Sequence, residues 1–170
     1  MNTSSAPGPA RLNVAGAHEA RALLREVCAS TAWADGLLTR RPFADEAALL
    51  AASDAATAEL DPAGLAEAMS GHPPIGRPQP GDPASSREQR GMADADAGLR
   101  EEMLALNLAY QEKFGHVFLV CATGLTAEQL RDAARARLGN TPDRERETVR
   151  AELGRINRIR LARLSEGDRR

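Results

Sequence analysis

The side chains of this chain that could do chemistry are few. There are three histidines, His18, His72 and His116, and none has a second histidine or a carboxylate at a metal-ligand spacing. The two cysteines, Cys28 and Cys121, form neither a CxxC pair nor a zinc spacing, and neither sits in a nucleophile motif. No Walker loop, GxGxxG or nucleophile elbow is present. If the chain is an enzyme, this inventory points to acid–base and electrostatic catalysis, without a metal or an organic cofactor.

His72 stands in GHPPIGRP, residues 71–78, where three prolines and two glycines exclude helix. Proline lacks the backbone N–H, fixes φ and pushes the preceding residue out of the helical region. As plain structure the stretch is a connector whose histidine is satisfied by solvent or backbone. As chemistry it presents a general acid/base, because imidazole titrates near neutrality and a stiff loop holds the ring at little entropic cost. Glu88 also reads two ways. Ser85 and Glu88 have the spacing of a capping box, a purely structural task. A helix N-terminus beside a Pro/Gly loop is equally a polar pocket, in which Glu88 and Gln89 would face whatever His72 faces.

Arg160 is the third marked position. At about 100° per residue, Val149, Leu153, Ile156 and Leu164 fall within roughly 80° of one another, and Arg160 falls among them. Arg155 and Arg158 fall on the other side. A guanidinium inside an apolar stripe needs a partner, either a structural salt bridge or a substrate carboxylate held by two parallel hydrogen bonds. The fourth feature is FGHVFLVCATG, residues 114–124. Phe118 and Val120 read first as core. An extended segment here would also leave backbone N–H and C=O groups without a ladder partner, and a planar, amide-rich ligand could satisfy them.

The elements that must position these groups are helices. The composition predicts a soluble globular protein of 170 residues, with 42% hydrophobic and 27% charged residues. With 3% aromatics, the core has to come from Leu, Ala, Val, Ile and Met. Twenty-two basic against 24 acidic residues argue against a dedicated nucleic-acid binder, although RDAARARL and the C-terminal arginines keep that as a rival reading. No apolar run is long enough to span a membrane. Two thiols in a chain of this size fit a reducing compartment. With no signal-type leader and no SKL-type ending, the expected location is cytoplasmic.

Expected helices cover residues 16–29, a short stretch around Trp33, and 46–58 behind Asp45 as N-cap. Asp61 and Pro62 open another that runs to about Met69. Further ones start at SSREQ and cover 95–113, with Leu99, Met103, Leu106 and Tyr110 on one face. Thr126 with Gln129 caps a helix to about Leu138, and Thr141-Pro142 opens the last, to about Leu164. The expectation is an all-α, single-domain multi-helix bundle with a Pro/Gly-rich active-site loop. Residues 1–12 are expected as a disordered tail, 13–165 as the domain and 166–170 as a frayed end.

Taken in order, Trp33 and RPF (41–43), GHPPIG (71–76), SREQRG (86–91), N..Y..KFGHVFLVCATG (107–124) and INRIRLARL (156–164) resemble the 2-oxo-4-hydroxy-4-carboxy-5-ureidoimidazoline (OHCU) decarboxylases of urate breakdown. The resemblance implies a helical domain that dimerises and needs no metal or cofactor, with OHCU as substrate and (S)-allantoin and CO₂ as products. It implies catalytic roles for His72 and Glu88. It places Pro73, Ser86, Gln89 and the carboxylate-binding Arg160 at the substrate, with backbone groups of Val117, Phe118, Leu119 and Val120. His116 stands where many relatives carry Phe and reads as packing. The alternatives are a decarboxylase of a related ureido or imidazolone acid, and a non-catalytic helical interaction module.

Overall fold

The computed structural model describes residues 8–78 and 80–167. Among these residues the regular structure is entirely helical, with no strand. The chain forms two compact units, one of residues up to Ala68 together with Gly154 onward, the other of Met69–Leu153.

The first unit contains α1 (Gly8–Val14), α2 (Ala17–Val27), α3 (Thr31–Leu38), α4 (Glu46–Ala58), most of α5 (Pro62–Ser70) and the C-terminal half of α9 (Pro142–Gly167). Three of these helices start at a side-chain cap. The Ser30 hydroxyl accepts from Trp33 N at 3.3 Å, Asp45 accepts from Ala48 N at 2.8 Å, and Asp61 accepts from Gly64 N at 2.7 Å. Such caps satisfy donors that the first turn leaves open. The buried residues of α2, namely Ala20, Leu24 and Val27, follow one helical stripe. Small residues compensate for the scarcity of aromatics: Gly36 on α3 faces Ala56 on α4 so closely that a Cβ there would lie 3.3 Å from the Ala56 methyl. Two boundary expectations need correction. Residues 8–12 belong to helix α1, because Leu12 is buried at 1% exposure and anchors that turn in the core. At the other end α9 continues through Gly167, and Ser165 is buried. Residues 1–7 and 168–170 of the expected tails lie outside the described residues.

The second unit contains the Pro/Gly loop, α6 (Pro83–Glu88), a 3₁₀ turn (Arg90–Met92), α7 (Ala97–Phe114), the extended segment 117–122, α8 (Ala127–Leu138) and the N-terminal half of α9. Its core gathers Ile75, Met92, Leu99, Met103, Tyr110, Phe118, Val120 and Leu130. Burying a side chain of the size of Phe118 or Leu130 contributes about 1.5–3 kcal/mol. Asp96 caps α7, Gly115 ends it in the left-handed conformation at φ 77°, and Thr126 with Gln129 forms the expected capping box on α8.

One helix starts earlier than expected. Asp82, not Ser85, is the N-cap of α6: its carboxylate accepts from Ala84 N at 3.0 Å, with Pro83 at the first helical position. Ser85 is buried inside the helix and donates to the Asp82 carbonyl at 3.2 Å. The Ser85–Glu88 capping box therefore does not form, and Glu88 is the last residue of α6.

Gly91 fixes the next turn. A Cβ at this position would lie 2.0 Å from the Leu125 carbonyl oxygen, a backbone atom that cannot swing aside. Gly91→Ala should therefore lower stability by about 1–3 kcal/mol, read as a reduced urea midpoint at an unchanged m-value.

Candidate active site

The loop that carries His72 is fastened by side-chain amides. Prolines give it few donors of its own, so its carbonyls must find donors elsewhere. Gln89, 6% exposed, supplies both kinds of group. Its Oε1 accepts from Gly76 N at 2.9 Å, and its Nε2 donates to the Pro74 carbonyl at 3.2 Å and toward the Pro73 carbonyl at 3.4 Å. Asn107 of α7 donates to the Ile75 carbonyl at 2.9 Å. Ile75 is buried, so the loop is also held by its own apolar side chain. His72 and Pro73 are half-buried on this fastened loop. Gln89, expected in the substrate pocket, thus has its amide committed to the loop backbone.

Glu88 is half-buried beside Gln89, and Ser86 is exposed on α6. A carboxylate at a helix C-terminus gains nothing from the helix dipole, and with the capping box absent Glu88 has no structural task at the helix start. A cavity of about 310 Å³ lies in the same unit, lined by the loop from Pro74 to Arg77, by α7 residues including Met103, Leu104 and Leu108, and by Val117 and Phe118. Of the expected site residues, only Val117 and Phe118 line it.

The extended segment is gripped from one side. Arg137, on α8, donates from Nη1 to the Leu119 carbonyl at 2.6 Å and from Nε to Glu145 Oε1 at 2.8 Å. Its guanidinium lies 4.6 Å from the Phe118 ring centroid. Glu145 has no exposure and also accepts from Tyr110 Oη at 2.5 Å and from Asn140 Nδ2 at 2.8 Å. Glu152 Oε2 accepts from Cys121 N at 2.8 Å. His116 packs edge-on against Tyr110, with its Nδ1 3.0 Å from the Val117 carbonyl, which fits the packing role expected for it.

Arg137, Glu145 and Glu152 carry no site role in the sequence reading, and Asn107 enters it only as the first residue of the N..Y..KFG motif. The signal for Arg137 was there: it continues the buried stripe Ala127, Leu130, Ala134 of α8 as a charge on an apolar face, the same argument that marks Arg160. The RDAARARL arginines are not a free basic patch either. Arg131 and Arg135 pair with Glu102 and Asp132, and Arg137 is buried on Glu145.

The Glu145 cluster predicts how stability varies with pH. Burial alone would raise the Glu145 pKa, but hydrogen bonds from Arg137, Tyr110 and Asn140 outweigh it and hold the carboxyl below its ordinary 4.5. A depressed acid stabilises the fold above its unfolded value and loses that contribution as pH falls through the folded one. Burial first, then the Glu145 hydrogen bond, pushes the Tyr110 hydroxyl above its ordinary 10.0, so its contribution is present below that value and lost at higher pH. The thermal midpoint should therefore fall below about pH 4.5 and again above about pH 10. Glu145→Gln should flatten the acid limb.

Arg160 lies in the first unit and is half-buried. It donates from Nη1 to the Val27 carbonyl at 3.0 Å, at the C-terminal end of α2, where orphan carbonyls favour a cation. Its stripe neighbour Ile156 is buried and Leu164 is half-buried, and Asn157 and Leu161 close by on the helix are buried. Burial pushes the nearby Cys28 thiol above its ordinary pKa; hydrogen bonds to Ser30 and Asn157 and the Arg160 charge oppose this only in part. Cys28 is thus a protonated, inert thiol. Among the described residues no group of three or more His, Cys, Asp or Glu could hold a metal ion, and no helix is long and apolar enough to cross a membrane.

Comparison with known proteins bears on what this arrangement does. A family model described as OHCU decarboxylase matches residues 13–162. The Arabidopsis thaliana "Uric acid degradation bifunctional protein TTL" is 29% identical over 144 residues, 81% of this chain and 44% of that protein. The Amia calva "2-oxo-4-hydroxy-4-carboxy-5-ureidoimidazoline decarboxylase" is 37% identical over 73 residues, 43% of this chain and 42% of that protein. The chain thus spans less than half the length of these curated relatives. Among solved structures, an OHCU decarboxylase crystallised in the presence of (S)-allantoin superposes with TM-score 0.74 at 26% identity, covering 84% of this chain and 96% of that one. An (S)-allantoin synthase shares the fold, with TM-score 0.71 at 19% identity, covering 92% of this chain and 53% of that one.

Proposed function

This chain belongs to the OHCU decarboxylase family, and from that premise we propose that it decarboxylates OHCU to (S)-allantoin and CO₂. The observation that carries the reading is the match over residues 13–162, a range that includes the histidine loop, α6, the extended segment and the position of Arg160. We take residues 13–165 to act as one catalytic domain.

The chemistry asks for such groups. Loss of CO₂ leaves an electron pair on the ring carbon that carried the carboxylate and the hydroxyl. The adjacent C=N accepts it, so the substrate is its own electron sink and the ring nitrogen takes up a proton. The intermediate then loses the hydroxyl proton, giving the ring carbonyl, and gains one on the neighbouring carbon. That carbon becomes stereogenic, so the proton must arrive on one face. In this proposal His72 and Glu88 deprotonate the hydroxyl and manage the protonation, a role that typically contributes about 10²–10⁴-fold. Pro73, Ser86 and the backbone of Val117–Val120 hold the ring and ureido amides. Gln89 serves that pocket by holding the loop in place.

Arg160 binds the carboxylate before it leaves. Holding a ground-state carboxylate does not by itself speed its loss, so the role is orientation. Arg160→Ala should raise KM roughly tenfold or more, the worth of a charge-assisted hydrogen bond of about 1.5–3 kcal/mol. Its bond to the Val27 carbonyl adds a fall in thermal midpoint. A homodimer fits Leu104 and Leu108, which are 37% and 61% exposed one turn apart on α7, and sedimentation velocity reads the mass. The two free thiols support a reducing, cytoplasmic setting.

The direct test is circular dichroism during urate breakdown. OHCU is generated in situ with urate oxidase and hydroxyisourate hydrolase, and the protein is added. A rapid (S)-allantoin signal is expected. Slow racemic decay at the uncatalysed rate would refute the proposal.

A further inference from the structure

Successive residues of an extended backbone point their N–H and C=O groups to opposite edges, so residues two apart share an edge. In segment 117–122 the side-chain hydrogen bonds fall on one such edge. The Leu119 carbonyl accepts from Arg137, Cys121 N donates to Glu152, and the Val117 carbonyl meets His116 Nδ1. These are the odd-numbered residues. Phe118 and Val120 are 2% and 8% exposed, and among the described residues no hydrogen bond reaches their backbone groups.

We propose that Arg137 and Glu152 are positioning residues that hold the odd-numbered edge of this segment, so that the backbone groups of Phe118 and Val120 are presented to the substrate at a fixed register. The inference rests on the decarboxylase reading and extends it to two residues that do not touch the reacting atoms.

The construction of the Arg137 site supports this role. All three guanidinium nitrogens are engaged, Nη1 on Leu119 and Nε and Nη2 on Glu145. Glu145 is braced in turn by Tyr110 and Asn140. The guanidinium also covers the Phe118 ring, which stands edge-on to Tyr110 at 5.2 Å. Arg137 therefore grips the segment by a carbonyl and by a neighbouring side chain. Lysine has neither the fork nor the planar face to do both. A displacement of about 1 Å in a reacting array can cost 10²-fold, so the anchors bear on catalysis from a distance.

The experiment measures KM, kcat and thermal midpoint on in situ OHCU for wild type, Arg137→Lys, Glu152→Ala, Glu152→Gln and Tyr110→Phe. Arg137→Lys should raise KM about tenfold or more, with a smaller loss in kcat, the scale of a sub-ångström misplacement. Glu152→Ala should raise KM in the same sense. Glu152→Gln should restore it, because the Gln carbonyl oxygen accepts from the same N–H. Tyr110→Phe weakens the Glu145 cluster without touching the segment's hydrogen bonds, so its midpoint should fall while KM stays. If Arg137→Lys does not fold, the Glu152 pair decides alone. Unchanged KM in both Arg137→Lys and Glu152→Ala, or an equal rise in Tyr110→Phe, overturns the positioning role. A wild type that leaves OHCU to decay unaided overturns the decarboxylase reading instead, and this inference with it.

Discussion

His72→Ala should lose about 10²–10⁴-fold in turnover, the usual worth of a positioned acid/base group, with little change in thermal midpoint. The structure separates these two outcomes. The loop is fastened by backbone bonds to Gln89 and Asn107 and by burial of Ile75, and none of these uses the imidazole. Steady-state rates read from the (S)-allantoin dichroism, set beside a thermal melt, give both numbers from one preparation. A variant that keeps wild-type turnover would remove His72 from the mechanism and leave GHPPIGRP a connector. A variant that loses activity and stability together would mean that the ring also holds the loop.

Glu88→Gln carries the second large effect, again about 10²–10⁴-fold in turnover. The substitution is cleaner than the sequence suggested. In a capping box, Gln would replace Glu without loss, so the variant would separate a cap from a catalyst. Because Asp82 caps α6 and Glu88 sits at its last position, no cap is at stake. The amide keeps the size and removes the ability to exchange a proton. Full activity in Glu88→Gln would sink the catalytic role. A loss confined to kcat, with KM and melting temperature preserved, supports it. Comparing the enantiomeric purity of the allantoin from the two variants addresses which group delivers the carbon proton: the one whose loss erodes purity controls the face.

Much of the helical architecture was legible because it is set locally. Asp45, Asp61 and Thr126 cap the helices they were expected to cap, since a cap is a bond between residues two or three apart. The α7 stripe is buried at Leu99, Met103 and Tyr110 because helical period alone places them on one face. The α6 start was misplaced because two caps compete within four residues, Asp82 and Ser85, and the choice depends on Ser85 being buried. Likewise the N-terminal boundary fell too late because Leu12 finds core in a short helix that composition reads as tail.

The sequence by itself determined the helical class, the caps and stripes, the proline loop that presents His72, and the marked character of Glu88 and Arg160. Those follow from backbone geometry and from the cost of placing a charge on an apolar face, which act within a few turns of chain. Only the tertiary structure decided that Gln89 is spent on the loop at separations of 13–16 residues, and that Arg137 joins Leu119 to Glu145 across 18 and 8. A buried carbonyl is satisfied by whichever donor the packing brings to it, and neither composition nor period records which loop and which helix will meet.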